Sequence, residues 1–288
     1  MKLSQVGAFL ATLTTFACGY SFSDFSKASD LPAANTDLDE STELKTDEEE
    51  RIIGGLEASI AGFPYAVGLY SKHFDLDNFY FFCGGVLIAP QYVATAEHCT
   101  MITDTYVSVG AQYAARPRKN NGKRIRVVER SRPIYKNGQS FDIGLLKLET
   151  PVTDQPVRLC AADGSDNEVG TMGTVLGWGK TENSTSSFSM RSVDVEIISN
   201  RKCSTYFDSE ITDNQLCAGT GNGKNACTVD SGGPLVVDDV LVGIYTGSKS
   251  CSKKPGIYTR VGSMLDYINN VVTYGINETN SRNARRST

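Results

Sequence analysis

The sequence predicts an all-β protein, paired antiparallel barrels followed by one C-terminal helix. Three observations carry this. From Phe63 to Val272 the apolar and β-branched residues fall in short runs, separated by Asn, Gly, Asp and Pro. Only Ser263–Val272 shows helical spacing, through Met264, Leu265, Ile268 and Val272. The chain of 288 residues has room for one large all-β domain, which can run to about 250 residues.

The N-terminus comes first. Lys2 precedes an apolar run from Val6 to Ala17 and then small residues, the pattern of a secretory signal peptide over 1–19 with cleavage near Gly19. The run is shorter than the roughly 20 apolar residues that span a bilayer, and no second such run follows, so a secreted, soluble mature protein is expected. Residues 20–51 hold ten Asp or Glu against three Lys or Arg, with no apolar periodicity. Such a segment remains solvated. It ends at Arg51, ahead of Ile52-Ile53-Gly54-Gly55. This acidic stretch carries −7 and Lys2 +1, so the overall −5 becomes +1 for residues 52–288. That balance suggests no nucleic-acid or membrane partner.

The expected strands are Tyr65–Tyr70, Gly85–Ile88, Tyr106–Val109, Ile143–Leu148, Thr174–Trp178, Val193–Ile197, Leu235–Val237 and Leu241–Tyr245. The polar, basic tail over 273–288 is expected to be disordered. Asn183 and Asn277 each open an Asn-x-Thr sequon, a glycosylation acceptor pattern.

The chemistry centres on Asp230-Ser231-Gly232-Gly233-Pro234. A nucleophilic serine needs a tight turn that exposes its hydroxyl, and a base to take its proton. The chain has two histidines. His73 lies in the polar segment Ser71–Asn78, as a surface residue would; His98 lies in Thr95-Ala96-Glu97-His98-Cys99. A carboxylate must orient the base, and Asp142 in Asp142-Ile143-Gly144-Leu145-Leu146 is placed for that.

These motifs, with Gly177-Trp178-Gly179, Cys83-Gly84-Gly85 and Pro255-Gly256-Ile257-Tyr258, resemble the chymotrypsin/trypsin-like serine proteases, and the order His98, Asp142, Ser231 is that family's order. The resemblance covers 52–272. It looks most like the secreted trypsin-like group of oomycetes, which includes the glucanase inhibitor proteins. It implies two six-stranded barrels, about 52–160 and 161–262, with a helix over 263–272. It implies that Ser231 is the nucleophile, His98 the base and Asp142 its orienter. The N–H groups of Val229 and Ser231 would form the oxyanion hole, and Asn225, Ser248 and Gly256 would line the specificity pocket. Cleavage after Arg51 would free Ile52 to pair with Asp230. By the same resemblance Cys83 pairs with Cys99, Cys203 with Cys217 and Cys227 with Cys251. Cys18 leaves with the signal peptide. Cys160 is left over, as a free thiol, an intermolecular bridge or a buried inert thiol. The stretch Ala111–Arg126 matches a calcium loop of some relatives but contains no Asp or Glu, and calcium needs carboxylates; no metal and no other cofactor is expected.

Five residues depart from the pattern. Val229 stands in place of a glycine whose backbone a β-branched residue adopts only with strain. Asn225 replaces the aspartate of a trypsin, so nothing offsets a buried Lys or Arg. Gly247 and Ser248 replace Trp-Gly along the substrate wall, and Glu97 adds a charge beside His98. Two readings result. One is a protease-fold protein that is catalytically impaired and binds a secreted target enzyme, such as a plant endoglucanase, as a monomer. The other is an active secreted endopeptidase, cleaving protein substrates without preference for Arg or Lys.

Overall fold

The computed structural model describes residues 55–72, 79–114, 121–133, 141–178, 189–219, 231–247, 253–277 and 279. Strands β1 (Leu56–Glu57), β2 (Ala66–Lys72), β3 (Phe79–Ala89), β4 (Tyr92–Thr95), β5 (Thr105–Ala111), β6 (Asn121–Ser131) and β7 (Gly144–Leu148) are followed by β8 (Arg158–Leu159), β9 (Met172–Gly177) and β10 (Arg191–Ile198). A short helix α1 (Asn200–Ser204) leads to β11 (Gln215–Ala218), β12 (Pro234–Val237), β13 (Val240–Gly247), β14 (Gly256–Arg260) and helix α2 (Leu265–Tyr274).

Two closed antiparallel barrels of six strands result. The first runs β2-β3-β4-β7-β6-β5 and closes β5 on β2. The second runs β9-β10-β11-β14-β13-β12 and closes β12 on β9. β1 adds to β10, and β8 runs parallel to β13. Closure removes the exposed edges that an open sheet would leave.

Local sequence explains the strands. In β10, Val193, Val195 and Ile197 are buried while Asp194 and Glu196 face water, the period-2 pattern of a half-buried strand. β6 is absent from the expected strands because its sequence is charged, Lys123-Arg124-Ile125-Arg126-Val127. Ile125 and Val127 nevertheless point inward, and Arg124 packs its guanidinium over the rings of Tyr70 and Phe79 at 4.8 and 4.6 Å. That contact lets an arginine sit half-buried on a barrel. β12 and β13 join through Asp238 and Asp239, both at positive φ (48° and 59°), the conformation a two-residue hairpin requires.

Both barrels feed one continuous core. Gln112 stitches its rim: its side chain accepts from Ile60 N–H (2.9 Å) and donates to Ala58 O (2.8 Å) and Ser189 Oγ (2.9 Å), while its carbonyl accepts from the Trp178 indole (3.1 Å). Tyr65 donates to Asp239 Oδ1 at 2.7 Å, tying the start of the first barrel to the β12–β13 turn.

The C-terminal helix forms as expected, a 3-10 turn over Val261–Met264 running into α2, but its buried face differs by one position. Ile268 and Val271 are fully buried, and Val272 is only partly so. Ordered chain also continues past residue 272, where a disordered tail was expected. Ile276 and Thr279 are buried, and the Thr279 hydroxyl donates to Gly275 O (2.8 Å) and Asn270 O (3.1 Å), which caps the helix end. Among the described residues no helix is long and apolar enough to cross a membrane.

Candidate active site

His98 lies in a 3-10 turn, Glu97–Met101, directly after β4. The turn is fastened twice. Cys99 is bonded to Cys83 on β3, and the Thr100 hydroxyl donates to Glu97 O at 2.7 Å. Asp142 lies two residues before the start of β7, which pairs with β4. Its carboxylate receives the His98 ring at Nδ1, 2.9 Å from Oδ2 and 3.1 Å from Oδ1, and Oδ1 also accepts the His98 backbone N–H at 3.1 Å. An acceptor-only carboxylate holds the proton on Nδ1 and leaves Nε2 with its lone pair outward. The imidazole is 45% exposed and the carboxylate 27%, so Nε2 can meet an incoming group.

The Asp142 backbone is held from the other barrel, its carbonyl accepting from Thr259 Oγ1 on β14 at 2.9 Å. This link was not legible beforehand, because Thr259 follows the quoted Pro-Gly-Ile-Tyr motif and is 117 residues from its partner.

The His98 pKa is raised above the ordinary histidine value. The hydrogen bond to Asp142 contributes most, the charges of Asp142 and Glu97 add to it, and burial opposes them. Glu97 is 14% exposed and its Oε1 lies 3.4 Å from Arg132. The residue that departs from the family pattern is thus a second acid beside the imidazole, facing an arginine.

Ser231 opens the turn before β12. Its carbonyl accepts from Gly84 N–H on β3 at 2.9 Å and lies 3.7 Å from Cys99 Sγ. Gly232 N–H donates to Tyr245 O at 2.7 Å, and Tyr245 N–H donates to Gly233 O at 2.9 Å. Gly232 has φ 84°, and a Cβ there would stand 2.1 Å from Thr95 Oγ1 and 2.5 Å from Gly84 O. Only glycine fits this close approach. The structure therefore seats the backbone of Ser231, on the second barrel, against the strand and the disulfide that carry His98 on the first.

The other expected site residues divide. The disulfides Cys83–Cys99 and Cys203–Cys217 are formed. Cys160 is a free, buried thiol, pushed up to about 11, chiefly by burial. Gly256 begins β14 opposite Ala218, and Asn277 is exposed. Arg51, Ile52, His73, Asn183, Asn225, Cys227, Val229, Asp230, Ser248 and Cys251 lie outside the described residues. The Cys83 and Cys99 sulfurs lie close to a ring nitrogen of His98, but they are bonded to each other and offer no thiolate to a metal.

A family profile described as Trypsin matches residues 52–268. The chain belongs to the trypsin family. Glucanase inhibitor protein 3 of Phytophthora infestans is 33% identical over 234 residues, covering 76% of this chain and 88% of that protein. Trypsin 5G1 of Aedes aegypti is 37% identical over 238 residues, 77% of this chain and 85% of that one. Trypsin of Saccharopolyspora erythraea is 32% identical over 233 residues, 78% of this chain and 99% of that one. The chain is therefore a trypsin-fold protease homologue related both to trypsins and to glucanase inhibitor proteins.

Proposed function

We propose that this trypsin-family chain is secreted and acts by binding a secreted partner enzyme, of the kind the glucanase inhibitor relatives are named for, while its own peptide cleavage is impaired. A plant endoglucanase is the partner this reading favours, bound by a monomer. The observation that carries it is Gly247. The family resemblance places a tryptophan wall there, whereas Gly247 sits at φ 147° with nothing, among the described residues, within 4 Å of where a Cβ would be. A cleft that lacks this wall holds a substrate chain weakly, and misplacement near the chemistry lowers rate steeply. Val229 and Asn225 point the same way.

In the second reading the chain is an active secreted endopeptidase without Arg or Lys preference. The aligned His98–Asp142 pair favours it. Ser231 Oγ would attack the scissile carbonyl, His98 Nε2 would take its proton and later deliver it to the leaving amine, and Asp142 would hold the imidazole throughout. The N–H groups of Val229 and Ser231 would receive the oxyanion.

Activation belongs to both readings. Gly55 is fixed to the second barrel through Arg191, whose guanidinium donates to its carbonyl at 2.8 Å, and Leu56 and Glu57 pair with β10. A terminus freed at Ile52 by cleavage after Arg51 would start three residues from that anchor, a reach of about 10 Å. The proposed partner for the new amine is Asp230.

One experiment separates the readings. The protein cleaved at Arg51 is treated with a fluorophosphonate probe, and turnover is measured for wild type and Val229→Gly. The binding reading expects faint labelling, a gain of about 10²-fold or more on restoring the oxyanion donor, and endoglucanase binding that survives Ser231→Ala. Rapid wild-type labelling with efficient turnover would overturn it in favour of the protease.

A further inference from the structure

The loop after α1 and the β13–β14 pair enclose a cavity of about 470 Å³, within the roughly 300–1,000 Å³ of small-ligand sites. Its apolar walls are Phe207 and Ile257, its strand edge is Thr246 and Gly247, and Asp208 and Lys254 stand at its rim. Gly247 ends β13 just past a register shift, and among the described residues nothing occupies the place of its Cβ. The Thr246 hydroxyl is already used, donating to Ile257 O at 3.0 Å. The walls therefore offer ring faces and methyl groups. The Lys254 ammonium stands at the rim, 5.2 Å from the centre of the Phe207 ring.

We propose that this cavity is a receptor for an aromatic side chain of a protein partner, one that carries a carboxylate next to the ring. The partner's ring would stand against Phe207 and Ile257, over the bare backbone of Gly247, and complete from outside the wall that this chain lacks. Its carboxylate would meet Lys254. Aromatic pairs gain from edge or offset contact beyond simple burial, and an aromatic anchor in a pocket is the usual energetic centre of an interface. Gly247 is two residues along β13 from Tyr245, the residue hydrogen-bonded to Gly232 and Gly233, or about 7 Å of strand. A seated ring would thus adjoin the turn that carries Ser231.

This inference refines the binding reading, but its test reads occupancy alone, so its failure would leave the result at Ser231 standing. The full secreted protein is titrated with indole and with 3-(indol-3-yl)propionate by calorimetry and ligand-detected NMR. Wild type should bind both and prefer the anionic compound. Gly247→Trp should fill the cavity and abolish binding. Phe207→Ala should weaken both compounds about tenfold, the scale of one aromatic contact, and it decides the matter should Gly247→Trp not fold. Lys254→Gln should erase the preference for the anion and leave indole unchanged. No binding by wild type, equal binding by a folded Gly247→Trp or by Phe207→Ala, or a preference that survives Lys254→Gln would each overturn the proposal.

Discussion

Gly232→Ala is the sharpest test of how the two barrels are locked around Ser231. At φ 84° an alanine takes a left-handed conformation, which costs about 1–2 kcal/mol. Its Cβ would stand 2.1 Å from Thr95 Oγ1, 2.5 Å from Gly84 O and 3.0 Å from Ala96 N. Thr95 could turn away, but its hydroxyl donates to Gly84 O at 2.8 Å in a fully buried position, and stranding those groups costs about 1–3 kcal/mol. The carbonyl of Gly84 cannot retreat so easily. It belongs to β3, and the Gly84 N–H is bonded to Ser231 O.

The expected loss is therefore at least about 3 kcal/mol, at the top of the usual range for point changes. Gly170→Ala is the control, because Gly170 has φ 93° with nothing within 4 Å of a Cβ. It should lose only the backbone part, about 1 kcal/mol. Urea denaturation of wild type and both variants gives the comparison, at constant slope so that the midpoints report stability. If Gly232→Ala is no less stable than Gly170→Ala, the seam at Ser231 is not a steric lock and the reasoning fails.

His98 and His73 are the chain's two histidines, so an NMR titration shows two ring signals, and His73→Gln assigns them. His98 should titrate above the ordinary value of 6.5, Asp142→Asn should remove most of the rise, and Glu97→Gln a smaller part; a His98 that titrates at or below 6.5 refutes the pairing. The sign follows from linkage: with the folded value raised, the pair's stabilisation is complete below the unfolded-state value and is lost as pH rises through the folded one, whereas any base catalysis is lost on the acid side of that same value. Cys160, with its thiol pushed up to about 11, should resist iodoacetamide at mildly alkaline pH in the native protein and react at once in urea; fast native labelling would show that the site opens.

Much of the fold was legible because its strands carry period-2 patterns, as in β10, and because Ser231, His98 and Asp142 sit in short local motifs. The misses have physical reasons. β6 hides its two inward residues among charges whose partners lie on other elements: Arg124 on the rings of Tyr70 and Phe79, Glu129 on Lys147. β4, β11 and β14 are short, and each pairs with a strand far along the chain, β4 with β7 and β11 with β14. Thr259, Gln112 and Arg132 support the site through contacts 35 or more residues away, which no window of sequence displays. Glu97 could be read as a departure, but its nearness to Arg132 could not.

The residues around the site carry unequal structural duties, and this bears on the two readings. Gly232, the Ser231 carbonyl and the Asp142 carbonyl hold the barrels together through buried or cross-barrel contacts, so the fold itself requires much of the Ser231 motif whether or not the chain cleaves anything. Gly247 has open space where a side chain would be among the described residues, so on the binding reading a wall missing there would empty the cleft and leave the barrels intact. A trypsin fold can in this way lose its grip on substrate without losing stability. The His98–Asp142 pair is different again. It is partly exposed, and an exposed ion pair adds little stability, about 0–1 kcal/mol. Packing therefore does not account for its alignment, which makes proton transfer at His98 the property that weighs most on the protease side, as Gly247 weighs most on the binding side.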